Sequence, residues 1–594
     1  MGWTNRLAAL AVSAAWIRSV AAVKQPNFVF ILTDDQDLHM DSLEYMPLLH
    51  KHITQEGTLF DQHYCTVSIC CPSRVNIWTG LTAHRNNVTD LFPPYGGYPK
   101  FVREGLNDNW LPVFLQQLGY NTYYTGKLFN SHNVDNYNDP PVNGFNGSDF
   151  LLDPYTYSYY GAYMSRNFEP PVSYEGLYSP DVIAEKAYGF LEEASQHSSP
   201  FFIGVAPIAP HSDFDPRKSK EMTIPLSAPR HAHLFKDYKI PRTANFNPSR
   251  ASGVGWTKQL ERLNDTVVEY NDEFQRGRLR ALQAVDEMVE GVVQRLEAKG
   301  LLDNTYVIYT TDNGYHISHH RLPPGKECPF ETDIHIPLAI RGPGVPVGHV
   351  AGVVSSHTDL TPTILKLAGV DRPDLDGSPI PLTEEELRNA DVGEHVNVEF
   401  WGQALPEGKY GKLGNSTLRP GEAGISARNN TYKALRLIGG EYNLLYAVWC
   451  TGDKQYYDLN RDPGQIENLL DADLAQLAES YRLVGRSLKH VVDRLDSLLM
   501  VTKSCKAHTC RRPWEMLHPN GKVKTLKDAL RWHYDAFYDG QAKVSFASCP
   551  LGHVISEEGP QEVIAWNGEG EDIRSPDYGK QKTFDYAGHW SWWT

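Results

Sequence analysis

The pattern of hydrophobic and polar positions contains four short apolar segments that alternate with longer segments of helical periodicity. The apolar segments are NFVFIL (27–32), NTYYT (121–125), FFIGVA (201–206) and TYVIYT (305–310). Their β-branched and aromatic residues are typical of buried strands. The helical segments lie at 111–119, 182–194 and 278–300. Strands that alternate with helices predict parallel βαβ units, and therefore an α/β fold with a mostly parallel sheet sandwiched by helices.

Polar and charged side chains follow each of these four predicted strands. They are Asp34 and Asp35, Lys127, His211, and Asp312 and Asn313. The carboxyl ends of parallel strands meet at one edge of the sheet, where α/β proteins bind their ligands. The sequence therefore predicts an active site at this edge.

The C-terminal part of the chain has a different pattern. Residues 430–470 indicate short antiparallel strands that end in a turn at 462–464, and a helix is predicted near 472–499. The Gly- and Pro-rich segment 406–424 is typical of a boundary or an exposed loop. We expect one large α/β domain over 23–424 and a smaller α+β domain over 425–594.

The N-terminus and the sequons indicate the secretory route. Arg6, an apolar stretch over 7–17 and small residues at 19–22 predict a signal peptide over 1–22, and no later apolar run is long enough to span a membrane. Five N-x-[ST] sequons support a secreted or lysosome-like glycoprotein. They begin at Asn87, Asn146, Asn264, Asn415 and Asn429. The net charge of −16 argues against nucleic acid as a partner.

Eight cysteines allow up to four disulfide bonds in an oxidising compartment. Sequence alone does not give their connectivity, but Cys505 and Cys510 are close enough along the chain to be local partners. If Cys70 has a chemical role, seven cysteines remain, and at least one of them is a free thiol. Cys71 is the simplest candidate for that thiol.

Cys70 opens the segment CCPSRVNIWTG, which has the features of a helix N-terminus. Pro72 suits the first turn of a helix, so Cys70 is expected next to free backbone N–H groups that attract anions. Arg74 adds a planar set of donors suited to an oxyanion. Taken alone, the pattern also allows a buried structural cysteine or one half of a disulfide.

This segment resembles the C-x-P-S-R-x-x-x-x-T-G signature of the type I sulfatases. Further motifs occur in the order found in that family, with forms most similar to N-acetylglucosamine-6-sulfatases and arylsulfatases. They are LTDDQD, TGK, APH, TDNG, GKECPFETDIHIPLAIRGPG, HTDLTPTILKLAG and YDLNRDPGQIENL. The resemblance implies an alkaline phosphatase-like fold and hydrolysis of aryl or sugar O-sulfate esters. It also implies that a formylglycine-generating enzyme oxidises Cys70 to Cα-formylglycine.

The resemblance implies how such a residue works. One hydroxyl of the aldehyde hydrate attacks sulfur and releases the alcohol, and the other then expels sulfate. A divalent cation would activate the hydroxyl, and oxygen ligands suit Ca²⁺, with Mg²⁺ as the alternative. The implied metal ligands are Asp34, Asp35, Asp312, Asn313 and the oxygen on residue 70. Among the other implied roles, Arg74 braces the hydrate, Lys127 binds sulfate, and His211 and Lys326 serve the leaving group.

One position departs from the family pattern. Phe129 stands two residues after Lys127, where many sulfatases have a histidine that acts on the sulfate ester intermediate. His132 is out of register, and His316 in DNGYH is the alternative histidine. For His357, which matches a metal-binding position of related phosphatases, we expect structural hydrogen bonding.

Two other functions stay open from the sequence. One is a phosphodiesterase or phosphonate monoester hydrolase on the same scaffold, which would use the same nucleophile and cation. The other is a secreted glycan-binding protein in which Cys70 is unmodified. Aromatic residues in the loops 132–180 and 212–260 are candidates for stacking on a sugar or aryl ring.

Overall fold

A ten-stranded sheet forms the centre of the molecule. The computed structural model describes residues 25–390, 393–413, 416–417 and 425–568, so the predicted signal peptide over 1–22 lies outside the described residues. The strands are β1 Asn27–Thr33, β2 Thr58–Phe60, β3 Asn121–Gly126, β4 Gly147–Leu151, β5 Tyr163–Arg166, β6 Val172–Ser173, β7 Phe201–Ala206, β8 Thr305–Thr311, β9 Leu338–Arg341 and β10 His349–Ala351.

The strand order across the sheet is β10-β2-β9-β8-β1-β7-β3-β4-β5-β6. The five strands from β8 to β4 are parallel, whereas β9, β2, β5 and β6 run antiparallel to their neighbours on the inner side. The four strands predicted from the sequence are β1, β3, β7 and β8, which lie next to one another at the centre. Their carboxyl ends therefore share one edge, as the parallel arrangement requires.

Helices cover both faces of this sheet. Those of seven residues or more in the described part of the chain are α1 Cys70–Thr79, α2 Gly97–Arg103, α3 Leu111–Gln117, α4 Ser179–Ala194, α5 Asp265–Ala298, α6 Leu360–Leu367 and α7 Leu488–Thr502. Phe28, Phe30 and Leu32 of β1 pack with α1, α3 and α6. Val29 and Ile31 face the opposite side, toward α4 and α5. Because side chains alternate between the two faces of a strand, the sheet is apolar on both sides and helices cover both, as the sequence predicts.

Helix α5 is longer than the predicted segment 278–300 because it begins at Asp265. Asn264 caps this end, since its side chain accepts a hydrogen bond from the backbone N–H of Val267. The first half of α5 carries Gln275 and Arg278, which are both buried. The additional turns therefore carry Gln275, and together with Arg278 they place polar groups at the edge of the sheet.

A second, antiparallel sheet forms the core of the C-terminal part. Its strands in chain and spatial order are β11 His395–Phe400, β12 Tyr432–Gly439, β13 Tyr442–Trp449 and β14 Lys454–Asp458. On one face, Leu435 of β12 packs with Leu495 of α7. On the other face, Val398 of β11 belongs to an apolar cluster with Phe330, which lies between β8 and β9 in the chain. Strand β11 precedes residue 425, and the domain boundary at that residue stays a prediction.

The helix predicted near 472–499 is divided in the structure. A short helix covers Ala475–Ser480, a hairpin pairs Arg482–Leu483 with Arg486–Ser487, and α7 starts at Leu488. The hairpin turn consists of Val484 and Gly485, which both have positive φ. Two successive residues in that region form a type I′ turn and cannot belong to a helix. The helical periodicity of the flanking residues concealed this turn.

Two disulfide bonds join cysteines of the C-terminal part. Cys505 pairs with Cys510, which confirms the predicted local bridge, and Cys450 pairs with Cys549. The other four cysteines are buried free thiols, and Cys71 is one of them, as predicted. They are Cys65, Cys70, Cys71 and Cys328. The disulfides therefore leave Cys70 available for chemistry.

The two disulfides are expected to contribute unequally to stability. The Cys450–Cys549 bond closes a loop with a sequence separation of 99, against 5 for the other bond. Because a longer loop loses more entropy in the unfolded chain, a double serine variant of the long bridge should lose about 4–5 kcal/mol of unfolding free energy, against about 2 kcal/mol for the short one. Denaturant unfolding measures both. Equal losses, or a greater loss for the short bridge, would contradict this assignment.

Among the described residues, the structure has no helix with the length and apolar composition needed to cross a bilayer.

Candidate active site

The carboxyl ends of β1 and β8 bring the predicted metal ligands together with Cys70. Ligand atoms of Asp34, Asp35, Cys70 and Asp312 all lie within 4.8 Å of one another, and all four residues are buried. The Cys70 Sγ is 3.5 Å from Asp34 Oδ1 and 3.8 Å from Asp35 Oδ1. The two acidic strand ends and residue 70 therefore share one site, as the sequence predicts.

Helix α1 positions Cys70 as its first residue. Ile69 has extended backbone geometry, and the N–H of Ser73 bonds its carbonyl at 3.2 Å, which starts the helix. The Ser73 side chain connects this first turn to the end of β8, because it hydrogen-bonds the carbonyl of Asp312 and Nδ1 of His357. His357 also reaches the Thr311 carbonyl at 3.0 Å, which confirms its predicted structural hydrogen bonding.

Burial raises the pKa of the Cys70 thiol well above its usual range, although Lys127 and Lys326 act in the opposite direction. An unmodified thiol here stays protonated at neutral pH. Since the thiolate is the nucleophilic form of cysteine, the side chain as encoded is a poor nucleophile.

Three buried cations neutralise the three carboxylates. Lys127 Nζ lies 2.6 Å from Asp34 Oδ2, and Arg74 Nε lies 2.7 Å from Asp312 Oδ2. Lys326 Nζ is 2.5 Å from Asp35 and 3.5 Å from the Cys70 Sγ. Arg74, Lys127 and Lys326 thus each contact a predicted metal ligand. The same ammonium and guanidinium groups are available to bind the oxygens of an anion.

Asn313 supplies an oxygen that has no hydrogen bond among the described residues. Its amide nitrogen donates to Asp35 Oδ1 and to the Gly314 carbonyl, both at 2.8 Å. Its Oδ1 is buried and unpartnered. Such an acceptor is costly unless it meets a donor or a cation. Together with the three carboxylates it forms an oxygen-only ligand set, so the residues present fit Ca²⁺ or Mg²⁺.

The imidazole of His211 is oriented toward the same carboxylates. Its Nδ1 lies 2.8 Å from the Ser212 carbonyl, and because a carbonyl only accepts, Nδ1 carries the proton of that bond. Its Nε2 lies 3.6 Å from Asp35 Oδ2. Tyr157 stacks on the ring with 4.0 Å between centroids and also lies under Lys127 Nζ at 4.7 Å. The sequence places Tyr157 only among the aromatic residues of loop 132–180.

Arg278 of α5 holds the loop that follows β1. Its guanidinium donates to the carbonyl of Asp35 and, at 3.1 Å, to Asp37 Oδ1. Gln275 donates to the same Asp37 oxygen at 2.9 Å. Asp37 therefore does not contact Cys70 directly. It orients Arg278, which in turn holds the backbone carbonyl of Asp35.

Glu407 is a site residue that sequence reasoning missed. Its carboxylate lies 3.6 Å from Lys326 Nζ, accepts a hydrogen bond from Tyr315 at 2.6 Å and bonds the hydroxyl of Ser212. Burial raises the pKa of Glu407, but Lys326 and His211 outweigh it and bring that pKa to about 2. Glu407 lies in the segment 406–424, whose Gly and Pro content indicated only a boundary or loop.

Replacing Glu407 by glutamine should make the stability of the protein less sensitive to acid. The pKa of Glu407 falls from 4.5 to about 2 on folding, so its contribution is complete above about pH 4.5 and is lost as pH falls to about 2. We expect E407Q to be less stable at pH 7 by an amount on the order of 1–3 kcal/mol, with the difference disappearing by about pH 2. Urea unfolding across that range measures it.

The matched control for this prediction is Glu297→Gln, because Glu297 is exposed on α5. Its stability should equal that of the wild type at every pH. If the unfolding free energies of E407Q and the wild type differ by the same amount from pH 7 to pH 2, the ionised state assigned to Glu407 is contradicted.

His316 lies beside the segment that carries Lys326. The backbones of His316 and Gly325 exchange two hydrogen bonds, at 2.9 and 3.1 Å. The His316 Nδ1 is 2.8 Å from a carboxylate oxygen of Asp333, a partner that the sequence motifs did not reveal. His316 and Asp333 group with Cys328 rather than with the ligand atoms around Cys70. The carboxylate fixes the orientation of the ring, and the predicted catalytic role of His316 stays a prediction.

Phe129 fills the position where many sulfatases have a histidine. Its ring packs 4.6 Å from Phe101 and 6.0 Å from Trp110 in a buried aromatic cluster. His132 packs on Tyr98 at 4.6 Å, and burial lowers the pKa of His132 to about 4. His132 therefore belongs to the aromatic packing, which agrees with its being out of register.

Lys326 and Glu407 keep slightly more exposed surface than the carboxylates of the site. These residues are 6 % and 5 % exposed, whereas Asp34, Asp35 and Asp312 have no exposed surface. A cavity of about 490 Å³ lined by Asp359 and Asn397 contains none of the residues around Cys70. This cavity is therefore separate from the group of residues around Cys70.

Comparisons with known proteins agree with this geometry. The family model described as Sulfatase matches residues 26–370 of the chain. An arylsulfatase of Volvox carteri is 36 % identical over 90 % of this chain and 83 % of its own length. The N-acetylglucosamine-6-sulfatase of Homo sapiens is 30 % identical over 83 % of this chain and 87 % of its own length. The solved structure of BT4656 in complex with its substrate D-glucosamine-2-N,6-O-disulfate has a TM-score of 0.57 and 23 % identity, and covers 76 % of this chain and 97 % of that one.

Proposed function

The chain belongs to the sulfatase family and hydrolyses sulfate esters, and we propose that it does so with Cα-formylglycine made from Cys70 and a bound divalent cation. One observation carries this proposal. The Cys70 Sγ lies within 4 Å of two carboxylates, Asp34 and Asp35, and of the ammonium group of Lys326. This is the surrounding that a nucleophile needs if it is to attack an anionic ester.

The modification of Cys70 depends on a formylglycine-generating enzyme as a partner during maturation. The product would supply an aldehyde hydrate, whose one hydroxyl attacks sulfur and whose other hydroxyl later expels sulfate. Lys326 lies beside this position and Arg74 lies one turn along α1. Both would stabilise negative charge as it develops on the hydroxyl oxygen.

Four residues would hold the cation, which we propose to be Ca²⁺, with Mg²⁺ as the alternative. They are Asp34, Asp35, Asp312 and Asn313. When bound, the cation supplies positive charge that lowers the pKa of a hydroxyl and attracts sulfate oxygens. Lys127 and Arg74, which bond Asp34 and Asp312, would bind the remaining sulfate oxygens from the protein side.

His211 and Lys326 would serve the leaving group. His211 presents Nε2 to the site, since its Nδ1 is bonded to the Ser212 carbonyl. In the imidazolium form, with protons on both ring nitrogens, His211 would donate the Nε2 proton to the leaving oxygen, so that an alcohol departs rather than an alkoxide, which is a poor leaving group. Glu407 bonds Ser212 and lies against Lys326, so it would hold both donors in place.

The elimination of sulfate requires a base, and we propose His316 for that role. Phe129 stands at the position where many sulfatases have a histidine, and His132 packs in the aromatic cluster. His316 is oriented by Asp333 and lies on the segment next to Lys326. A neutral imidazole fixed by a carboxylate is a suitable proton acceptor near neutral pH.

The substrates we propose are O-sulfate esters of sugars or aryl alcohols. The test compares sulfate release from nitrophenyl sulfate and from N-acetylglucosamine 6-sulfate with hydrolysis of bis(nitrophenyl) phosphate. We expect kcat/KM to be at least about 100-fold higher for a sulfate ester than for the phosphodiester. A preference for the phosphodiester would favour the alternative phosphodiesterase or phosphonate hydrolase and overturn the substrate proposal.

We also propose that the protein is N-glycosylated and is secreted or lysosome-like. Asn146, Asn264 and Asn429 are exposed, as glycosylation requires, and Asn87 is half-buried. Asn415 lies outside the described residues. The two disulfide bonds fit an oxidising compartment. Treatment of the protein with an N-glycosidase and mass measurement tests the proposal.

A further inference from the structure

A second group of potential metal ligands lies at the edge of the large sheet and shares no residue with the group around Cys70. It consists of His39, Glu331 and His335, whose ligand atoms lie within 4.8 Å of one another. His39 follows β1 on the loop after Asp37. Glu331 starts the short helix Glu331–Ile334, and His335 follows that helix directly.

The hydrogen bonds of His335 leave one of its nitrogens as a free lone pair. Its Nε2 lies 2.7 Å from the carbonyl of Asp61, and because a carbonyl only accepts, Nε2 carries the proton. The Nδ1 of the same ring is buried and has no hydrogen-bond partner among the described residues. A carbonyl that accepts from the other ring nitrogen fixes the orientation of ligating histidines in this way.

The free nitrogen of His335 faces a carboxylate oxygen across a gap that suits a metal ion. Nδ1 lies 3.4 Å from Glu331 Oε2. In this tautomer both atoms present lone pairs, so they repel unless a cation lies between them. A tetrahedral zinc ion bound at about 2.1 Å separates its ligand atoms by about 3.4 Å. The observed spacing agrees with that value.

His39 supplies a third unpartnered atom. Its Nε2 is buried without a hydrogen bond among the described residues, and its ring centroid lies 5.2 Å from that of His335. A buried imidazole nitrogen without a partner is costly, and a metal would satisfy it. Both histidine residues keep partial exposure, so the site lies close to the surface.

Arg436 orients the carboxylate of Glu331 from the opposite side. Its Nε donates to Oε1 at 2.6 Å and its Nη2 to Oε2 at 3.3 Å, and Oε2 also faces His335. Ligating carboxylates are usually held by such a hydrogen bond. Arg436 lies on β12 of the small sheet, so a metal here would link the loop after β1, the helix at Glu331 and the C-terminal sheet.

We infer that His39, Glu331 and His335 form a binding site for a Zn²⁺-class transition-metal ion, separate from the oxygen-ligand site beside Cys70. Two imidazoles and one carboxylate are ligands that Zn²⁺ accepts, with water in the fourth position, whereas Ca²⁺ prefers oxygen alone. The competing arrangement is a plain ion pair, in which a second proton on His335 replaces the metal.

The test is calorimetric titration of the full-length protein with ZnCl₂, after removal of transition metals and in the presence of saturating CaCl₂. We expect one equivalent of Zn²⁺ in the wild type, with affinity reduced by more than about 100-fold in H39A and in H335Q. Co²⁺ in place of Zn²⁺ should give the visible absorption of a tetrahedral site, and both variants should lose it. Zn²⁺ should raise the thermal unfolding midpoint of the wild type alone.

His349→Gln is the matched control, because His349 is an exposed histidine on β10 and should leave the titration unchanged. Circular dichroism confirms that each variant is folded, and H39A removes only a half-buried side chain. Absence of Zn²⁺ binding in the wild type, or binding in H39A and H335Q as tight as in the wild type, would overturn the inference and leave the ion pair. Sulfatase activity is a separate readout, so failure here does not bear on the proposed reaction.

Discussion

Replacement of Cys70 by alanine is expected to lower kcat for sulfate ester hydrolysis by at least about 10⁴-fold, because the variant cannot form the nucleophile. The fold should persist. Residue 70 carries a small buried side chain at the start of α1, and truncation to alanine removes a single heavy atom, at a cost of about 1 kcal/mol. The measurement is the initial rate with nitrophenyl sulfate, together with the thermal unfolding midpoint of both proteins.

Cys71→Ala is the matched control for that experiment. Cys71 is the adjacent residue and an equally buried free thiol, and it packs in the apolar core with Val75 and Tyr98. Burial raises the pKa of Cys71 to about 12, so it has no nucleophilic role at neutral pH. The control should retain activity within about 10-fold and lose a similar amount of stability. Equal inactivation of the two variants would mean that the C70A effect is structural.

Replacement of Asp312 by asparagine is the second change with a large expected effect, about 10³-fold in kcat/KM. Asp312 Oδ2 bonds Arg74, and Oδ1 accepts the backbone N–H groups of Asp35 and Asn313, both at 3.0 Å. Removing the charge takes away a proposed metal ligand and leaves the buried guanidinium with less compensation. Breaking a buried pair in this way costs about 3–5 kcal/mol of stability.

The measurement is kcat/KM as a function of CaCl₂ concentration after chelation. The wild type should lose activity on chelation and regain it with Ca²⁺, whereas D312N should require much higher Ca²⁺ or stay inactive. Asp303→Asn is the control, because Asp303 is exposed near the opposite end of β8. Its calcium dependence should equal that of the wild type. An enzyme that keeps full activity after chelation would contradict the proposed role of the cation.

The centre of the fold could be predicted from the sequence because its strands are buried on both faces. Such strands are continuous apolar runs, and β1 and β8 each end where polar residues begin, at Asp34 and Asp312. A parallel sheet then dictates that these ends meet. The sulfatase-like motifs added Lys326 and His316, which local pattern alone would not have distinguished from surface or structural residues.

The missing parts of the site come from irregular segments whose position depends on tertiary packing. Glu407 reaches Lys326 and Tyr315 from a loop rich in Gly and Pro, and Tyr157 reaches His211 from a loop with many other aromatic residues. Neither residue has a periodic pattern around it. Only their contacts distinguish them, and those contacts join positions far apart along the chain.

The most direct test of the central claim is mass spectrometry of the peptide that contains residue 70, from protein made in cells that possess a formylglycine-generating enzyme. We predict an aldehyde and its hydrate at position 70, with the neighbouring Cys71 still an alkylatable thiol, in the same preparation that hydrolyses nitrophenyl sulfate. An active preparation in which residue 70 is entirely unmodified cysteine would contradict the claim.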